Sequence, residues 1–166
     1  MHYVFNFEKN KRYKMDNIIR YEVGSNAIQH LLTVSTTIEL SYQYLKSETK
    51  NEMVKSWIDN KLSYLKAFKQ QSLSILNTVN IQQSNKPNVL LKLNMLWYKI
   101  KRKFYKNDSQ LIINECLKLN AYFLSEVNKE IKSGILSKPA YTLLNTLKNE
   151  LLITKQEFYI SKLKLS

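Results

Sequence analysis

The sequence predicts an all-α chain folded as an antiparallel four-helix bundle, with a short extra helix in the connection between the second and third long helices. Three observations predict it. Only two glycines and two prolines occur in 166 residues, and a β-rich or α/β fold of this length would need many more turns. Residues 110–132 carry apolar side chains at Ile112, Cys116, Leu119, Phe123, Val127 and Ile131, spaced four, three, four, four and four. That period is helical and not the alternation of a strand. Turn signals then fall at few places, chiefly near 47–49, 81–88 and 133–138, which divide the chain into long segments. A hydrophobic fraction of 44% against 23% charged residues places the chain with globular proteins, and the length suits one domain with a real core.

Each element has its own signals. Residues 1–24 read as an N-terminal arm ahead of a bundle domain at 25–166. In the arm Tyr3, Phe5 and Phe7 alternate before a basic run at 9–14, Met15 is an alternative start, and 16–23 form a short lead-in ended at Gly24. The first long helix should begin at Ser25 or Asn26, both good caps, and run to about 47. Its inner stripe is Ile28, Leu31, Ser35, Ile38, Tyr42 and Leu45. Thr49 and Glu52 have capping-box spacing and would open the second helix after a short turn, which makes the first two helices antiparallel. That helix should reach about Asn80, with Trp57, Tyr64, Phe68, Gln71 and Ile75 on one edge and Val54, Ile58, Leu62, Leu65, Leu76 and Val79 beside them.

Polar residues and Pro87 make 81–88 the main linker. Asn88 can cap a helical segment over 89–105, apolar at Leu93, Leu96, Trp97, Ile100 and Phe104. The third long helix follows, capped by Asp108 or Ser109 and ended by Gly134. Ser137 can cap the last helix and Pro139 fits its first turn. That helix should run to about 163, with Leu143, Leu144, Leu147, Leu151, Phe158 and Leu165 as its apolar set.

Charge and chemistry exclude more than they select. The net charge is +13, which invites an anionic partner such as nucleic acid or an anionic membrane surface. Against this, only Arg12, Arg20 and Arg102 are arginines, the side chain best suited to bidentate phosphate contacts, and a genome-wide codon bias toward Lys, Asn, Ile and Tyr would give the same basicity. The best anion-binding candidates are Lys99, Arg102, Lys103 and Lys106, with Tyr98 and Tyr105 available to stack on bases. Their bland alternative is a solvated helix face. Cys116 sits on an apolar stripe and reads as a small core residue, and a lone cysteine fits a reducing compartment. No run approaches a membrane span of about 18 apolar residues, and the N-terminus lacks the pattern of a secretory signal. A cytoplasmic location is expected. There is no Gly-rich phosphate loop, no cysteine pair for zinc and no Ser/His/Asp set, so an enzyme is not expected.

The order of parts, two long helices, a Pro-containing crossover with a Trp-bearing helix, then a second long pair, resembles a bacterial ferritin-like four-helix-bundle family of unknown function. The marks are Leu31 and Leu32, Tyr42, Trp97 within LWYKIKRKFYKNDS, Glu115 and Pro139, and the resemblance covers about residues 26–163. It implies a ferritin-like topology. The family's polar positions are not kept: Thr37 stands for an acidic residue, Ser41 for a Gly, Asn120 and Ala121 for a Glu-Asp pair, and Glu157 for a His. A ferritin-like di-iron centre needs a Glu from each of two helices and a Glu-x-x-His from each of the other two. The chain has only His2 and His30 and no Glu-x-x-His. No cofactor and no competent di-iron site are therefore expected. Glu39, Glu115 and Glu157, with Glu126, are the remaining carboxylate candidates, and their bland alternative is pairing with lysines.

Three functions follow. The leading one is a non-catalytic bundle acting through a protein partner or as a homo-oligomer. The alternative is an anion-binding protein using residues 99–106. The remote one is a metal-dependent oxidase or storage protein.

Overall fold

The computed structural model describes the backbone of residues 2–82, 109–133 and 135–164, and the side chains of 24–82, 109–133 and 135–153. The described residues form four helices and no strand: α1 (His2–Glu48), α2 (Glu52–Thr78), α3 (Ser109–Lys132) and α4 (Lys138–Lys164). The crossover segment, with Pro87, Trp97 and the expected helix over 89–105, lies outside the described residues, as do the side chains of Glu157 and Phe158 and all of Leu165.

The first helix departs from expectation. It does not begin at Ser25 or Asn26 but runs from His2 through Gly24 without a break. Gly24 serves a different purpose from a stop signal. A Cβ there would lie 3.0 Å from Ser137 Oγ and 3.1 Å from the Ala140 Cβ, so its missing side chain lets α1 touch the first turn of α4. Downstream, the expected stripe is the one that is buried: Ile28, Leu31, Ser35, Ile38, Tyr42 and Leu45 are each at most 3% exposed.

The start of α2 is also corrected. Thr49 and Glu52 do not form a capping box, because the helix begins at Glu52 itself. Asn51 is the cap: its backbone is extended, and its side-chain oxygen accepts from the Met53 and Val54 N–H groups at 2.9 and 3.3 Å. Thr49 is buried one turn earlier and its hydroxyl accepts from the Asn51 N–H. At the other end Asn80 takes a left-handed φ of 56°. Its N–H donates to the Asn77 carbonyl and the Ile81 N–H donates back to the Leu76 carbonyl. This is a Schellman closure, and Ile81 packs on the core as such a motif favours. The helix therefore stops at Thr78, two residues before the expected end. Within α2, Gln71 is exposed and Ser72 is fully buried in its place. The start of α4 follows expectation, since Ser137 Oγ accepts from the Ala140 N–H at 3.3 Å.

The four helices share one core. Ile28, Leu31 and Leu45 of α1, Ile58 and Leu65 of α2, Leu119 and Phe123 of α3, and Leu144 and Leu147 of α4 are all essentially inaccessible. Each fully buried side chain of this size stabilises the fold by about 1.5–3 kcal/mol through area removed from water. Phe68 and Phe123 meet edge to face across the centre, 6.1 Å between ring centroids, a geometry worth about 0.5–1.5 kcal/mol beyond burial. Polar ties fix the register. Lys46 pairs with Asp59, Glu39 with Lys69, and Gln29 with the Gln82 carbonyl, so partner numbers rise along α2 as they fall along α1. Between α1 and α3, Tyr42 donates to the Cys116 carbonyl and His30 meets Glu126. Asn120 donates to the Leu151 carbonyl between α3 and α4.

Candidate functional site

The inward or half-buried polar groups are where chemistry would have to reside, and the structure gives Glu39, Glu115 and Glu126 each a lysine neighbour. Glu39 lies on the margin of α1 that faces α2, where Lys69 Nζ reaches its carboxylate at 2.7 Å with both side chains about three-quarters covered. Glu115 precedes the buried Cys116 on α3 and is paired within its own helix to Lys118 at 2.6 Å, the i,i+3 spacing that helices favour. These two sequence-selected acids are thus held by separate lysines on separate helices.

Glu126 is the most enclosed of the described carboxylates, at 8% exposure. It sits on α3 one turn before Glu130, so both side chains point along the same strip of that helix. Lys129 hydrogen-bonds one of its oxygens. His30 Nε2 of α1 lies 3.0 Å from the other and 4.0 Å from Glu130 Oε1. An ionised carboxylate only accepts, so the imidazole Nε2 carries the proton in this bond. Burial pushes the Glu126 carboxyl pKa up, but the hydrogen bonds from Lys129 and His30 outweigh it, and the net displacement is downward. The same bond holds the exposed Lys129 ammonium above its usual range. This His30 cluster was not foreseen in the sequence. The two residues are 96 positions apart, and the only local signal was the Glu126–Lys129 pair at i,i+3.

The Cys116 thiol is fully covered, and burial, then the nearby Glu115, drives its pKa strongly upward, which suppresses the reactive thiolate. Tyr42 is raised for the same first reason, desolvation, with Cys116 adding to it. Among the described residues no group of three or more His, Cys, Asp or Glu side chains is placed to hold a metal ion. Asn120, at the position where the resemblance implies an acidic residue, spends its amide on the Leu151 carbonyl. Its Oδ1 and the Ser72 hydroxyl are buried without a hydrogen-bond partner among the described residues. Both groups are uncharged, so they offer a cation far weaker ligands than carboxylates would.

A groove of about 640 Å³ runs between α2 and α4, lined by Gln71, Ser74 and Ile75 on one side and Lys138, Pro139, Thr142, Leu143 and Thr146 on the other. It is shallow and mostly apolar and brings no pair of titratable groups together. Lys99, Arg102, Lys103 and Lys106 lie outside the described residues. The charge they belong to is unevenly spread along the chain. Residues 83–108 hold seven basic residues and one acidic residue, whereas the stretches whose side chains are described hold eleven and eight. Among the described residues no helix is long and apolar enough to cross a membrane.

Comparison with protein-family models, with curated proteins and with solved structures found no match to this chain.

Proposed function

We propose that the chain is a non-catalytic bundle protein of ferritin-like topology, without a competent di-iron site, that acts in the cytoplasm through self-association or a protein partner. The observation that carries this reading is the dispersal of the acids. Glu39 and Glu115 are each neutralised by their own lysine, and a di-metal centre needs several carboxylates and imidazoles converging in one cavity. The topology is supported by the polar ties. Partner numbers run opposite to α1 along both α2 (Lys46 with Asp59, Gln29 with Gln82) and α3 (Tyr42 with Cys116, His30 with Glu126). An antiparallel reading of both pairs makes α2 and α3 point the same way, which calls for one long connection between them. From the level of Gln29 to that of Glu48 is roughly 28 Å at 1.5 Å per residue, a span the 83–108 stretch can cover. That single long crossover is the mark of ferritin-like bundles. Sedimentation equilibrium over a wide concentration range tests the function: a concentration-dependent dimer or larger species supports it. A strict monomer that also retains no partner on affinity capture contradicts it.

The uneven charge favours one second reading, an anion-binding protein using residues 99–106 on nucleic acid or a phospholipid surface. The bundle stretches are nearly balanced while the crossover is strongly basic, a distribution that a uniform codon bias does not produce. A mobility shift at low salt, repeated with Lys99, Arg102, Lys103 and Lys106 changed to Glu, tests it. Binding lost in the variant supports the reading. No binding by the parent chain at low salt, where nonspecific attraction is strongest, removes it.

A further inference from the structure

We draw no further inference here: the strongest candidate, the mostly apolar groove between α2 and α4 lined by Gln71, Ile75, Lys138, Thr142 and Thr146, has nothing in the structure to show what covers it.

Discussion

Gly24 offers a sharp test, because an uncrowded helical glycine and one packed on a neighbouring helix respond differently to substitution. Were it an uncrowded position inside a continuous helix, replacing it with Ala would strengthen α1 by about 0.5–1 kcal/mol, the usual gain over Gly. The structure instead packs it on α4, with Ser137 Oγ, the Ala140 Cβ and the Ser137 backbone N within 3.0–3.2 Å of where a Cβ would be. In Gly24→Ala the neighbours must yield by a few tenths of an ångström, so crowding offsets the helix gain and stability should barely change. In Gly24→Leu there is no room. Overpacking costs about 1–3 kcal/mol. Displacing Ser137 Oγ from the Ala140 N–H adds about 1 kcal/mol for the lost cap. Subtracting the helix gain leaves about 1–3 kcal/mol, or a fall in Tm of roughly 3–9 °C for a chain of this size. Thermal unfolding followed by circular dichroism reads this directly. A Gly24→Leu protein as stable as its parent would refute the contact between α1 and α4. A double-mutant cycle between Gly24→Ala and Ser137→Ala should also show coupling of about 0.5 kcal/mol or more, and strict additivity would speak against the contact.

Three further outcomes follow from the same geometry. Asn51→Ala should cost about 1 kcal/mol by removing the cap of α2, whereas Asn51→Ser should recover most of it. Equal stability of Asn51→Ala and the parent would mean that Asn51 does not cap. The lowered Glu126 pKa means its interactions are fully present above the unfolded carboxyl value, near 4.5, and are lost as pH falls through the folded value. The stability gap between the parent and Glu126→Gln should therefore close on acidification below about pH 4.5, and a gap independent of pH would contradict the assignment. Cys116 should resist a thiol-exchange reagent such as Ellman's in the native protein and react fully in denaturant; rapid native reaction would contradict its burial.

Where the sequence was legible, periodicity made it so. The stripes of 28–45 and 112–127 are the buried faces of α1 and α3, because a four-helix core admits only side chains repeating every three or four positions. The errors came where two local signals competed. Thr49 and Asn51 are both good caps, and the choice fell to the residue adjoining the first helical turn. Gly24 matches both a helix end and a close helix contact, and only the position of α4, set 113 residues later at Ser137, decides between them. Ser72 was passed over because a serine is normally exposed, although it lies four residues from both Phe68 and Leu76 and its exact place in that series could have revealed it. The His30–Glu126 bond joins distant parts of the chain, and no local pattern encodes such a pairing. The fates of Glu39 and Glu115 depended likewise on which lysines the fold brought near.

The central claim, a bundle of this topology without a functional metal centre, is tested most directly by metal content. The full chain should be purified without chelators, incubated anaerobically with iron(II) or manganese(II), desalted and analysed by plasma mass spectrometry. The account predicts far less than one metal ion per chain in each case. One or two equivalents retained per chain, and lost on changing Glu39 or Glu115 to Gln, would contradict it.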